Sequence, residues 1–289
     1  MGILLLKITQ IKVFFMENRT DLAVECFEST EKTKLDGVIV RENNAVTTVE
    51  VTNENGALAL GKPKGKYVTL NVQSFVTDTN VFDERLNEFS SVLKTVLPKN
   101  VASVLVVGVG NENITADSLG PKTNDYVLAT RHILPDLQKS LDADDLFNVA
   151  TVTTGVLGET GIETAEIVKG IVRQISPDCV IAVDALAASS AERLGTTIQF
   201  SDSGISPGSG VGNHRDEISS TTVGVPVIAI GIPTVVSTGV ISGDGSDTAF
   251  VTPREIDRIT EQGAKLIGMG INVCLQKSLS VSDLSALVG

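Results

Sequence analysis

Four apolar runs set the texture of the middle of the chain: Ala102–Gly110 (ASVLVVGVG), Asn148–Thr153, Cys179–Ala185 (CVIAVDA) and Val225–Gly231 (VPVIAIG). Apart from the threonines of Asn148–Thr153, none alternates with polar residues, as expected of strands covered on both faces of a parallel sheet. Helical periodicity lies between and around them. Phe82, Leu86, Phe89, Leu93 and Leu97 share one face of a predicted helix ended by Pro98. Val168, Ile171, Val172 and Ile175 do the same after Thr160–Glu163, which reads as a capping box, and Thr252-Pro253-Arg254-Glu255 reads as a second one opening a C-terminal helix. Upstream, short β-branched runs punctuated by Gly, Asn and Pro after Gly37 predict a small antiparallel sheet, preceded by a polar, charged stretch from Arg19 to Glu28.

Strands alternating with helices predict an α/β fold: a mostly parallel, doubly wound sheet flanked by helices, with a smaller antiparallel β excursion in the N-terminal third. Its ligand crevice is expected at the carboxyl ends of the parallel strands. The body reads as one domain over 22–289, with a β-rich part at 22–98, a parallel-sheet core at 99–252 and a helical part at 253–289.

Composition narrows the function. The chain has 289 residues and a formal charge of −12, with no Lys/Arg block, so it lacks the cationic patch that nucleic acid or an anionic membrane requires. Cys26, Cys179 and Cys274 are odd in number and far apart, which supports neither a disulfide framework nor a zinc knuckle and fits a reducing cytoplasm. The opening MGILLLKITQIKVFF is interrupted by lysines and no small-x-small cleavage site follows, so no signal peptide is expected, nor any membrane span.

The chemistry has few carriers. Only His132 and His214 occur, with no His-Glu-x-x-His and no Gly-x-Ser-x-Gly. His132 is expected in a helix and His214 in a loop. GVGNEN after the first strand lacks the third glycine of a dinucleotide fingerprint. Two aspartates stand out by position: Asp117, in the loop beyond the first parallel strand, and Asp184, where CVIAVDA finishes. A carboxylate there is paired, hydrogen-bonded or pushed up in pKa. Two meeting across one crevice can share a proton, one acting as general base for a water and the other as general acid. From spacing alone, a helix cap or loop-fixing group is the plainer reading of each. The glycine-rich loops TTGVLGETG and SDSGISPGSGVGNHR lie on the same side, and Gly208, Ser209, Gly210, Asn213 and His214 of the second are candidates for a substrate groove.

Several strings together resemble the germination protease family of endospore-forming bacteria: RTDLAVE (19–25), GNENITADSLGPK (110–122), GVLGETGIETAEIVKGIV, VDALAA, PGSGVGNHR and GVPVIAIGIPTVV. The resemblance implies a cytoplasmic endopeptidase of the forespore and spore core that degrades small acid-soluble spore proteins. It implies a fold like hydrogenase maturation proteases, catalytic aspartates at Asp117 and Asp184, no cofactor or metal, and a homotetramer. A zymogen is implied too, with a self-removed propeptide at 1–21. Family cleavage sites carry an acidic, an apolar, Ala, a small residue and Glu; Asp21-Leu22-Ala23-Val24-Glu25 repeats this, which places autoprocessing between Asp21 and Leu22. Met16 is an alternative start to Met1. The rival readings are a hydrogenase-maturation-type protease holding nickel, for which His214 would be a donor, a nucleotide-binding protein using GVGN, and a catalytically degenerate binding protein.

Overall fold

The computed structural model describes residues 20–30, 34–72, 74–76, 84–133, 146–213, 215–242 and 249–288. The strands are β1 (Val38–Asn43), β2 (Val46–Val51), β3 (Gly65–Asn71), β4 (Ser103–Val109), β5 (Asn148–Gly155), β6 (Cys179–Ala188), β7 (Thr197–Ser201), β8 (Val227–Ser237) and β9 (Phe250–Val251). Their order is β1-β2-β3-β7-β8-β6-β4-β5, with β9 on the end of β8. The expected parallel core is β5-β4-β6-β8. The expected antiparallel excursion, β1-β2-β3, continues the same sheet, joined to the core through β7, which is antiparallel to both β3 and β8.

The helices used below are α1 (Ala23–Glu28), α2 (Glu54–Leu60), α3 (Glu84–Val96), α4 (Leu119–Asp125), α5 (Leu157–Thr160), α6 (Thr164–Ile175), α7 (Ser220–Val223), α8 (Thr238–Ser242), α9 (Ile256–Leu275) and α10 (Val281–Val288). Successive side chains of a strand face opposite ways, so β4 feeds two cores. Val104 and Val106 pack with Leu86, Phe89 and Leu93 of α3 and Leu266 and Ile267 of α9, whereas Leu105 and Val107 pack with Val168 and Val172 of α6. Phe89 meets Phe200 of β7 with ring centroids 4.9 Å apart. A third cluster joins Leu22, Ala23 and Val24 to Val49, Val51 and Tyr67 of the antiparallel strands and to Leu186 and Ala188 of β6. All three cysteines are free and buried.

Several expectations need correction. The stretch after Arg19 is not a polar surface: Leu22 and Ala23 are fully buried, and Glu25 is only 3% exposed. The run at Val225–Gly231 does not stop at its glycine, because β8 continues to Ser237. Gly231 is a place of close approach, where a Cβ would lie 2.6 Å from the Asp184 carbonyl oxygen. Asp184 is likewise not the end of β6, which runs on to Ala188. The β4–β6 ladder does end at Gly108–Val183, so Asp184 stands just past the edge of the parallel core. Neither capping box forms at its expected place. Thr160 closes α5, its hydroxyl accepting from Ile162 N–H, so α6 begins at Thr164 with no side-chain cap from Glu163. Pro253 sits in a turn before α9, which begins at Ile256, likewise with no side-chain cap from Glu255.

Candidate active site

The crevice forms where β4 ends and its ladder with β6 stops. After β4 the chain turns at Gly110 and makes a short 3₁₀ turn, Thr115–Asp117, before α4 starts. This delivers the half-buried Asp117 carboxylate back over the strand end, where Oδ2 accepts from Asn111 N–H at 2.7 Å. The α4 backbone lies almost on the strands: a Cβ on Gly120 would be 2.3 Å from Val109 O and 2.4 Å from Val183 O. Asp184 follows Val183 on β6, is 4% exposed, and accepts from Ala185 N–H at 2.8 Å.

Electrostatics divide the two carboxyls. Burial pushes Asp184 well above the ordinary carboxylate range, and the negative charges of Asp117 and then Asp21 push it further, against the Ala185 N–H. Burial raises Asp117 as well; the Asn111 N–H opposes this and Glu159 adds to it. The repulsion falls on Asp184. If Asp184 holds the proton, Asp117 ionises beside a neutral neighbour, the behaviour of an acidic pair sharing one proton.

A peptide segment occupies the cleft beside them, and it is the chain's own Thr20–Glu25. Asp21 pairs with the end of β6: its N–H donates to Ala187 O at 2.9 Å, and its carboxylate accepts from Ala187 N–H at 2.9 Å and from Ser209 Oγ at 2.8 Å. Gln199 of β7 spans the next peptide units, donating to Asp21 O at 2.9 Å and accepting from Ala23 N–H at 2.8 Å. Glu25 accepts from the Thr20 hydroxyl and from Ser189 N–H at 2.7 Å, and pairs with Arg193 Nε at 3.5 Å. Beside the segment runs a cavity of ≈ 550 Å³.

The structure therefore brings Asp21, Ser209 and Gly210 together; a Cβ on Gly210 would lie 2.3 Å from the Asp21 carboxylate. Gly208 and Asn213 serve the same loop differently. Gly208 takes a left-handed φ of 74° and accepts from Asn213 N–H, and Asn213 is exposed. His214 lies outside the described residues. His132 is exposed in a turn, not in a helix, because α4 ends at Asp125 and β5 is already pairing with the Thr130–Arg131 backbone. Sequence reasoning missed Lys62, Gln199 and Arg193. A signal existed for one of them, since a glutamine between Ile198 and Phe200 in an apolar strand demands partners once buried.

Fold and site together define a class: a doubly wound α/β protein with an acidic pair where the β4–β6 ladder of its parallel core stops and a peptide cleft beside it. Comparison with known proteins gives the particular family. A family model described as germination protease matches residues 16–250. A germination protease of Clostridium perfringens (strain ATCC 13124) is 37% identical over 92% of this chain and 98% of its own length. That of Priestia megaterium is 44% identical over 92% of this chain and 76% of its own. The chain belongs to the germination protease family and is a peptidase. A solved structure, the [NiFe] hydrogenase maturation protease HycI of Thermococcus kodakarensis KOD1, overlaps 63% of this chain and 99% of its own at 20% identity and a TM-score of 0.37, too loose an overlap to bear on the site. Among the described residues no helix is long and apolar enough to cross a membrane.

Proposed function

We propose that the protein is an aspartic-type endopeptidase that starts the degradation of small acid-soluble spore proteins when a spore germinates. It is made as a zymogen whose residues 1–21 are a propeptide, works as a homotetramer in the forespore and spore core, and needs no cofactor. The observation that carries the mechanism is the buried Asp184, raised by burial and by its acidic neighbours.

The two residues take different roles for physical reasons. Asp184, nearly sealed from water, is the carboxyl that keeps the proton and serves as general acid. Asp117 has a backbone N–H on its carboxylate, which favours its ionised form and suits it as general base. Asp117 takes a proton from a water as the water oxygen bonds to the peptide carbonyl carbon. Asp184 then gives its proton to the amide nitrogen as the C–N bond breaks. The pair ends with one proton, on the other residue, and exchange with solvent resets it. Mild acidification favours the singly protonated pair because both carboxyls titrate above their ordinary range.

The test is incubation of the purified protein with a small acid-soluble spore protein and mass spectrometry of the products. Cuts after an acidic residue followed by an apolar one are expected. Asp117→Asn and Asp184→Asn should each abolish them, and the double variant should be little worse than either. A single variant that turns over at the wild-type rate refutes the pair.

A further inference from the structure

One atom of the Thr20–Glu25 segment receives more than its burial demands. The carbonyl oxygen of Asp21 accepts from Gln199 Nε2 at 2.9 Å and from Lys62 Nζ at 3.1 Å. One donor suffices to satisfy a buried carbonyl. Two side-chain donors from separate elements, one of them an ammonium, are the arrangement that holds negative charge on an oxygen.

Both donors are fixed. Gln199 is 8% exposed, and the Ala23 N–H on its Oε1 sets which end of the amide faces the Asp21 carbonyl. Lys62, just beyond α2, is held by a second acceptor, the Thr20 carbonyl, at 3.1 Å. The Asp21 carboxylate is seated by Ala187 N–H and Ser209 Oγ, so register along the cleft is set by the side chain of the residue whose carbonyl is in question. Asp21, Lys62 and Gln199 all line the ≈ 550 Å³ cavity, as do Gly231, the register partner of Asp184, and Leu186, which shares a strand face with Asp184.

We propose that Lys62 and Gln199 are the oxyanion clamp of this peptidase, and that Thr20–Ala23 shows in cis how a substrate peptide lies in the cleft. The proposal rests on the cleavage reading above. When water adds to the carbonyl carbon, the C=O π pair moves onto the oxygen, where the two donors meet it. When the tetrahedral species collapses, that pair re-forms the carbonyl and the C–N bond breaks, the nitrogen leaving with the proton from Asp184. Neither donor gives up a proton.

The first-order rate of cutting between Asp21 and Leu22 in the full chain, followed by intact mass at mildly acidic pH, reads the clamp directly. Lys62→Met and Gln199→Met should each slow it roughly 100-fold, with Lys62→Arg within about tenfold of wild type because a cationic donor remains. Gln199→Glu separates chemistry from holding. It keeps the acceptor for Ala23 N–H but faces the oxyanion with a carboxylate, so it should be at least as slow as Gln199→Met. For a peptide of the Thr20–Glu25 sequence cut in trans, kcat should fall and KM stay within about threefold. If wild type cuts and Gln199→Glu or Lys62→Met keeps more than a third of its rate, the clamp is wrong while the peptidase reading stands. Loss of folding in Lys62→Arg and Gln199→Glu alike assigns the two residues to structure instead. A wild-type chain that cuts neither itself nor the peptide removes both readings.

Discussion

Gly120 is a point where the geometry of the proposed acidic pair is exposed to a single methyl group. Its φ is not left-handed, so the demand is one of space. A Cβ there would stand 2.3 Å from Val109 O, 2.4 Å from Val183 O and 2.5 Å from Val109 N. Ordinary contact begins near 3.4 Å, so all three distances are short by about 1 Å, and all three atoms are strand backbone that cannot rotate away. Gly120→Ala must lift α4 off the end of β4 and off β6 at Val183. Overpacking against rigid atoms belongs at the upper end of its usual cost, about 3 kcal/mol. With an unfolding entropy of roughly 0.6 kcal/mol/K for a chain of this length, Tm should fall by about 5 °C. Activity should fall further than stability. Asp117 lies two residues before α4 and Asp184 follows Val183 directly, so the lifted helix separates the two carboxyls, and a misplacement near 1 Å costs roughly 100-fold. Calorimetry and peptide cleavage well below Tm measure the two effects. Gly170→Ala is the matched control: it lies inside α6 with nothing within 4 Å of its added Cβ, and should gain about 0.5–1 kcal/mol from helix propensity with activity unchanged. If Gly120→Ala melts within a degree of wild type and cleaves normally, the tight seating of α4 is not what positions the pair.

Two further outcomes are expected. Asp184 has a folded pKa above its unfolded one, so the native state binds the extra proton, and wild-type stability falls as pH rises from about 4 through that raised value. Asp184→Asn removes the penalty, so its Tm should exceed wild type at pH 7–8 and the gap should close towards pH 4; a gap independent of pH contradicts the assignment. Light scattering should give the mass of a homotetramer at micromolar concentration, and a stable monomer there contradicts the proposed assembly.

The parallel core was legible because complete burial leaves a local trace. Val104–Val109 and Cys179–Val183 contain no polar residue, and a run of that kind has few other uses. Asp184 was visible for the same reason, as a charge interrupting such a run. Gly231 misled because glycine looks the same whether it ends a strand or admits a neighbouring backbone. The capping boxes misled because Thr160 has more than one way to use its hydroxyl, and only the α5 turn decides between them. The cleft was hidden most completely. Gln199 meets Asp21 across 178 positions, and Lys62 reaches the same carbonyl from 41 positions away. No local pattern encodes such meetings; the sheet order β3-β7-β8-β6 creates them.

That order also times the birth of the enzyme. β3 pairs early with β2 but finds its second partner only when Thr197–Ser201 has been made, and Asp21, whose partner Ala187 comes shortly before that, finds Ser209 later still in the chain. A nascent polypeptide emerging amino end first must wait, with its first hundred residues unpaired at that edge, until the segment through β8 has left the ribosome. No translation intermediate shorter than this can close the cleft on a peptide, its own or another. The order of synthesis thus delays the appearance of proteolytic potential until nearly the whole molecule exists.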